Sequence, residues 1–268
     1  MSKNVFKTFI LLAGFGALLT TALAVALAFL VLPMVAILVD VPPGDLIARL
    51  DDPASVDALV LSLKTTTVSL ILIVGFGTPA AYLLATRTFR GRSVVITLVE
   101  LPLVLPPAVA GIGLLAAFGP KGITRTPIDI ALTTAGVVAA QTFVASPFYV
   151  RQAQAAFAAV DPSLREASRT LGASPAATFA RVAVPVALPG LLTGAALAWG
   201  RAVGEFGATL IVAGSFQGET QTAPLAIYGF FSSDFTAALA LSAVLLAVSA
   251  ALMLTVRLVG GRALDAHA

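Results

Sequence analysis

Residues 161–185 read DPSLREASRTLGASPAATFARVAVP, a polar stretch in an otherwise very hydrophobic chain. Asp161 is a favourable helix N-cap, and Pro162 then takes the first helical position, where its missing N–H has no partner to lose. This pattern predicts a helix from Pro162 to Leu171. Gly172 follows in the position that favours a left-handed C-terminal cap, so the chain is expected to turn sharply there.

A second short helix is predicted directly after this corner. Ser174 and Pro175 repeat the cap-and-proline signal of the first helix. We expect Pro185 and Pro189 to end the second helix and to lead into the next apolar segment. The two short helices and their glycine corner, within about residues 151–188, are called the knob below. We expect this compact shape to be one that a partner protein could bind.

Long uncharged segments flank the knob and assign the protein to the helical membrane class. Hydrophobic residues make up 59% of the chain and charged residues 11%, whereas a soluble domain carries about a quarter charged residues. A helix needs about 20 apolar residues to cross the hydrocarbon, and its backbone polar groups must pair within the helix. We therefore predict an all-α integral membrane protein with a single transmembrane domain over residues 1–268.

The apolar segments predict six membrane-spanning helices, with the knob between the fourth and the fifth. Their approximate bounds are residues 8–38, 59–84, 93–118, 130–150, 189–212 and 235–258. The first apolar run is too long for the core of a cleaved signal peptide, so we interpret it as a retained span. Six spans place both termini on the same side of the membrane.

The distribution of basic residues predicts that this side is the cytoplasm. Eleven Lys and Arg residues fall on the side of the termini and the knob, and four fall on the other side. The first group is Lys3, Lys7, Arg87, Arg90, Arg92, Arg151, Arg165, Arg169, Arg181, Arg257 and Arg262, and the second is Arg49, Lys64, Lys121 and Arg125. Because cytoplasmic loops carry the excess of Lys and Arg, the knob and both termini are expected to be cytoplasmic.

Several functional classes find no support in the residues. The chain has no Gly-x-x-x-x-Gly-Lys-Ser/Thr motif, so it cannot bind ATP through a phosphate-binding loop of this type. Its one histidine, His267, lies in the tail, and no paired aspartates fall within the spans, which argues against an intramembrane protease. Cysteine is absent, so there is no thiolate metal site. We expect no catalytic residue, metal or cofactor in this chain, and no nucleic-acid partner.

Three charged residues fall at or near membrane depth: Glu100, Arg201 and Glu205. Such charges are costly in lipid and usually face a cavity or one another. Arg201 and Glu205 are four residues apart, so they share a helix face. They either line a translocation path, with a twin pair across a dimer axis, or neutralise each other so that the helix can insert. Glu100 is a candidate for the same path near one end of the third span.

Proline residues predict that the third span is broken. Pro102, Pro106 and Pro107 lie in its middle, and Gly111 and Gly113 follow. Proline removes a helix hydrogen bond, and broken helices at membrane depth occur where they are buried in protein or line a cavity. We therefore expect a bent, pore-lining segment. A kinked helix that only packs against its neighbours is the alternative.

The knob resembles the EAA loop of ABC-importer permease subunits. That pattern is Glu-Ala-Ala, three residues, Gly, nine residues, and then Ile-x-Leu-Pro. Here Glu166-Ala167-Ser168, Gly172 and Val182-Ala183-Val184-Pro185 stand at the same spacing, with Ser168, Val182 and Val184 as departures from it. The resemblance implies that the knob docks into a cleft of a separate ATPase subunit, which binds the ATP. The coupling residues it implies are Glu166, Ala167, Ser168, Gly172, Val182 and Pro185. An ordinary helical hairpin without a partner is the alternative.

Three other stretches are similar to molybdate permease subunits. They are residues 101–111, 200–209 and 220–228, and the resemblance covers about residues 58–258. It implies a six-helix subunit of the cell inner membrane that pairs as a homodimer. Two ATPase subunits would bind on the cytoplasmic side, and a periplasmic or extracellular binding protein would deliver the oxyanion.

The expected function is therefore the permease of a molybdate or tungstate importer. Sulfate and thiosulfate permeases carry related stretches and remain an alternative. An ion-coupled secondary transporter would use Glu100 or Glu205, but it would leave the knob unexplained. An anionic substrate fits Lys64, Lys121 and Arg125 near the predicted outer mouth, although these residues also fit interfacial anchors.

Overall fold

The computed structural model describes residues 3–40, 43–124 and 129–265, and every regular element in these ranges is helical. The predicted all-α fold class is therefore confirmed. Arg125 and His267 lie outside the described residues. In chain order the helices are α1 Lys3–Val39, α2 Pro43–Leu50, α3 Pro53–Thr86, α4 Arg92–Glu100, α5 Pro107–Phe118, α6 Thr134–Ala158, α7 Pro162–Thr170, α8 Pro175–Thr178, α9 Val184–Val203, α10 Gly207–Ala213, α11 Ala223–Phe230 and α12 Phe235–Asp265.

Four helices in the described ranges are long and apolar enough to cross a membrane. They are residues 15–39 of α1, all of α3, the continuous helix 175–203, and residues 235–255 of α12. The segment from α4 to α5 qualifies as a fifth span if its two bent halves are taken together. The count of six stays a prediction, since α6 has the length, with 25 residues, but is not among these apolar helices.

Helix α6 is the centre of the packing. It runs along both α3 and α9, and its Tyr149 and Phe157 are fully buried between them. Small residues bring the helices close together: a Cβ added at Gly77 of α3 would lie 2.8 Å from Cδ1 of Tyr149, and one at Gly190 of α9 would lie 2.5 Å from Cβ of Ala156. Such close approach is typical of helix pairs inside membranes. Because α6 is surrounded by protein, it can carry polar residues.

The segment predicted as the third span is broken, as its prolines predict. Helix α4 continues as a 3₁₀ turn, Leu101–Leu103, and α5 then leaves at 114° to it. Pro107 is the first residue of α5, where it loses no helix hydrogen bond. Helix α5 packs against α10 so closely that a Cβ at Gly111 would lie 2.7 Å from Cβ of Ile211, and one at Gly207 would lie 2.7 Å from Cβ of Pro107.

The predicted bounds of the fifth span are wrong. Pro185 and Pro189 do not end a helix, because α8 passes through a π-helical segment, Phe179–Ala183, directly into α9. The wider π turn changes the hydrogen-bond register just before Pro185, which lets the helix continue past a residue without an N–H. The helix then ends at Val203, and residues 204–206 separate it from α10.

The segments predicted to lie on opposite sides of the membrane gather at opposite ends of the bundle. At one end, the residues after α3 meet the knob. At the other end, Arg49 forms an ion pair of 2.8 Å with Asp234, and the Asp57 carboxylate accepts a hydrogen bond of 3.3 Å from Gln217. The residues between the predicted fifth and sixth spans contain α11, with Pro224 in its first turn.

Candidate functional site

The knob has the local geometry that its caps predict. The Asp161 carboxylate accepts a hydrogen bond of 2.8 Å from the Ser163 N–H at the start of α7, and Ser174 Oγ accepts one of 3.2 Å from the Ala177 N–H at the start of α8. Hydrogen bonds from the backbone and the side chain of Ser163 lower the pKa of Asp161. This cap is therefore at full strength above the ordinary aspartate pKa, and it weakens as the pH falls through the lowered pKa.

The corner depends on one residue in the left-handed region. Helix α7 ends at Thr170, one residue earlier than predicted, and Gly172 has a φ of +86°. The Ala173 N–H donates to the Ser168 carbonyl at 3.1 Å, which closes the end of α7 over the glycine. No atom lies within 4 Å of a Cβ built on Gly172, so the backbone conformation alone favours glycine there.

The structure separates the predicted coupling residues into two groups. Glu166, Ala167 and Gly172 are exposed on the knob, where Leu171 also presents 88% of its surface. Val182 and Pro185 lie instead in and just after the π-helical segment that leads into α9. The first group lies on the exposed surface of the knob, and the second lies where the helix that supports the knob begins.

Ser168, a departure from the EAA pattern, joins the two short helices. Its hydroxyl lies 3.1 Å from the hydroxyl of Thr178, which is only 2% exposed. An alanine at this position would leave that buried hydroxyl without the contact. The departure therefore adds a hydrogen bond between α7 and α8.

Three aromatic residues that sequence reasoning missed hold the knob on the membrane helices. The ring of Tyr82 on α3 lies 5.2 Å from that of Phe157 on α6 and 4.8 Å from that of Phe179, at the end of α8. Rings at these distances attract one another beyond their buried area. The only signal in the sequence was an aromatic residue in each of three alanine-rich segments, which does not predict contact.

A pocket of about 210 Å³ lies between the knob and the last turn of α3. Arg165 reaches into it from α7, and its Nε atom is buried without a hydrogen-bond partner among the described residues. The lining residues are Tyr82, Thr86, Arg87, Pro162, Arg165, Glu166, Arg169, Pro175 and Thr178.

Arg201 and Glu205 share a helix face, as their spacing predicts, and they form an ion pair of 2.7 Å between Nη2 and Oε2. Glu205 is 1% exposed, and its Oε1 accepts a hydrogen bond of 2.8 Å from the Ala208 N–H at the start of α10. Its Oε2 has the charge contact but no well-aligned hydrogen bond. The pair therefore ties the end of α9 to α10 within one chain, and its neutralisation needs no second copy.

Glu100 is paired as well, with a partner that the sequence did not suggest. Its Oε1 lies 3.1 Å from Nε of Arg151 on α6, and both side chains are partly exposed. Glu100 is the last residue of α4, directly before the 3₁₀ turn with Pro102 and the bend at Pro106 and Pro107. The ion pair thus joins the broken span to the helix that leads into the knob.

Residues 73–264 match a family model described as the binding-protein-dependent transport system inner membrane component. The chain belongs to this family. The match spans α6, the knob, the Arg201–Glu205 pair and the bent third span. This family match and the apolar helices together show that the protein is a multi-pass membrane protein.

Curated relatives of this inner membrane component include transport permeases of bacteria and archaea. The chain is 44% identical over 235 residues to the molybdenum transport system permease protein ModB of Mycobacterium bovis, a match that covers 85% of this chain and 88% of the relative. It is 35% identical over 219 residues to the molybdate/tungstate transport system permease protein WtpB of Pyrococcus abyssi, covering 81% and 84%.

The fold is shared with a solved transporter of low sequence identity. A chain in the crystal structure of a bacterial ABC transporter involved in the import of the acidic polysaccharide alginate matches with a TM-score of 0.74 and 16% identity, covering 97% of this chain and 99% of that chain. At this identity the likeness shows the arrangement of helices alone.

Proposed function

We propose that this chain is the permease subunit of an ABC importer that moves molybdate or tungstate across the cell membrane. The observation that carries the proposal is the 44% identity to a molybdenum permease over 85% of the chain. Similarity to a molybdate/tungstate permease over 81% of the chain supports the same substrate class. Sulfate or thiosulfate import is the alternative within the class.

In this proposal the chain provides the path, and a separate subunit hydrolyses ATP. The exposed surface of the knob, with Glu166, Ala167 and Leu171, would dock into the ATPase subunit. ATP-driven movement of the knob would reach the broken third span through α6, because Arg151 of α6 is paired with Glu100 at the bend. Pro102, Pro106 and Pro107 would then shape a segment that opens and closes the path.

The chain would work as a homodimer, with a periplasmic or extracellular binding protein that delivers the oxyanion. The knob, both termini and the basic turn after α3 would be cytoplasmic, which agrees with the excess of Lys and Arg on that side. Lys64 and Lys121 are exposed on the half of the helix bundle that lies away from the knob, where they would attract an anion to the outer mouth. An ion-coupled secondary transporter is less consistent with these features, because it has no use for a docking knob.

The deciding experiment is ATP hydrolysis by the complex in proteoliposomes with its binding protein. Molybdate or tungstate should stimulate hydrolysis at a lower concentration than sulfate does. A stronger response to sulfate would move the assignment to the alternative. Vesicles that contain the permease without the ATPase are the matched control. Oxyanion uptake there, driven by an ion gradient, would contradict the importer mechanism.

A further inference from the structure

A pocket lies at the base of the knob, and the proposed docking of the knob does not explain which residues line it. It is closed on one side by Tyr82 and Thr86 in the last turn of α3, and on the other by one face of α7. The exposed residues Ala167 and Leu171 do not line it. The pocket therefore adjoins the proposed docking surface at Glu166 but does not include its apolar residues.

The lining is positively charged. Arg87, Arg165 and Arg169 contribute three guanidinium groups, and Glu166 is the one carboxylate among the lining residues. None of these arginines forms an ion pair with a carboxylate in the part of the chain that the structure describes. The three guanidinium groups thus outnumber the one carboxylate, and the pocket keeps an excess of positive charge.

One of the three arginines carries a buried donor. Nε of Arg165 is buried and has no acceptor among the described residues. Buried donors are almost always paired, so an exception calls for a missing acceptor. Arg87 and Arg169 are exposed and can turn their side chains toward the same space. These features describe a site for an anion with several acceptor oxygens.

A phosphate group fits this donor set. The planar guanidinium fork binds phosphate oxygens in pairs, and three such forks surround an acceptor-only group better than a cation or a neutral ligand. The volume of about 210 Å³ holds a phosphate with part of an attached group. The pocket also lies where α3 ends and the basic turn with Arg87 and Arg90 begins. Basic residues next to a membrane span attract anionic lipid headgroups.

We propose that this pocket binds a phosphate group, supplied either by an anionic lipid headgroup or by free inorganic phosphate. The bound group would bridge α7 to the last turn of α3. It would hold the base of the knob against the span by charge-assisted hydrogen bonds, in addition to the contacts of Tyr82 with Phe157 and Phe179.

The test uses the full chain in nanodiscs and separates the two sources. In the first arm, nanodiscs contain equal parts of phosphatidylcholine and phosphatidylglycerol, and native mass spectrometry measures the phosphatidylglycerol that the protein retains. In the second arm, nanodiscs contain phosphatidylcholine alone, and isothermal titration calorimetry measures binding of inorganic phosphate at low ionic strength. Binding in the first arm identifies the headgroup, and binding in the second identifies free phosphate. Either result supports the site.

Variants assign the binding to this pocket. Arg165→Gln should lower lipid retention or phosphate affinity at least tenfold, because it removes the charge and the fork. Arg169→Gln is a second variant. Arg169 is exposed, so its replacement does not disturb the buried Nε of Arg165. Arg181→Gln is the matched control, since Arg181 is an exposed arginine of the knob that does not line the pocket. No binding in either arm, or equal binding by all three variants, would overturn the proposal. The test contains no molybdate, so its outcome is independent of the proposed transport function.

Discussion

At the scale of single residues, Gly172 is the position where a small change should have a large and local effect. Its φ of +86° lies in the left-handed region, while the space around its Cα is open. A side chain there meets no neighbour, but it strains the backbone by about 1–2 kcal/mol. The strain would relax by reshaping the corner between α7 and α8, which presents Ala167 and Leu171.

Gly172→Val should therefore reduce co-purification of the ATPase subunit and uncouple hydrolysis from transport. The membrane helices should remain intact, with normal insertion and helix content. Gly44→Val is the matched control, because Gly44 also has open space around it but no positive φ. A Gly172→Val protein that binds the ATPase and transports at the parental rate would remove the reason for calling the knob a coupling element.

The Arg201–Glu205 pair offers a second test at this scale. Arg201→Ala leaves the buried Glu205 carboxylate without its counter-charge, and breaking a buried pair costs about 3 kcal/mol or more. Arg201→Ala combined with Glu205→Gln should be more stable than Arg201→Ala alone, because the amide oxygen can still accept from the Ala208 N–H.

Unfolding in detergent measures the stability of these variants, and uptake in vesicles measures their function. A double variant that folds but does not transport would assign the pair a role in the path. A double variant that folds and transports would leave it a structural role. Normal stability and normal transport of both Arg201→Ala and Glu205→Ala would contradict both interpretations.

At the scale of helices, the broken third span and α6 form one connected unit. Glu100 stands at the end of α4, next to the bend of 114°, and its partner Arg151 is on the helix that continues into the knob. Because both side chains are partly exposed, their contribution to stability is small, up to about 1 kcal/mol. In the proposed mechanism, this ion pair would transmit movement between the knob and the bend.

Arg151→Gln should therefore lower the amount of substrate moved per ATP hydrolysed, with little change in thermal stability. The charge-swapped pair Glu100→Arg with Arg151→Glu should restore part of this ratio. Arg90→Gln provides the control, as an exposed arginine of the neighbouring basic turn. Equal ratios for Arg151→Gln and the parental protein would show that this ion pair transmits nothing.

At the scale of the whole molecule, the helices place two sets of segments at opposite ends. The knob and the residues after α3 share one end, and the segments with Asp57, Gln217 and Asp234 share the other. This arrangement agrees with the partition that the basic residues predict. Orientation in the membrane is the step that follows from charge alone, and it can be measured.

Single cysteines introduced by Ser163→Cys and Ser232→Cys should react from opposite sides of the membrane. The chain has no cysteine of its own, and both serines are exposed, so the background is clean. A membrane-impermeant thiol reagent should label the Ser232→Cys protein in intact cells and the Ser163→Cys protein only after lysis. Labelling of the Ser163→Cys protein from outside would reverse the topology and remove the argument for ATPase docking.

The sequence by itself determined the features that depend on neighbouring residues. The caps at Asp161 and Ser174, the corner at Gly172 and the break at Pro107 follow from the intrinsic preferences of each residue, so they were predictable. The membrane class followed from hydropathy, since lipid requires long apolar helices with internally paired backbones. The spacing of Arg201 and Glu205 placed them on one helix face, and their ion pair is one of the two arrangements that the sequence left open.

Only the tertiary structure decided which distant segments meet and how far the helices run. Pro185 and Pro189 predict a helix end. The helix nevertheless continues to Val203, because a π-helical segment precedes Pro185 and α9 packs against α6. The packing of α4 against α6 decides that Glu100 pairs with Arg151. The packing of α7 near α3 decides that Nε of Arg165 is buried without an acceptor. Local preference acts over a few residues, whereas these contacts depend on the burial of whole helices against one another.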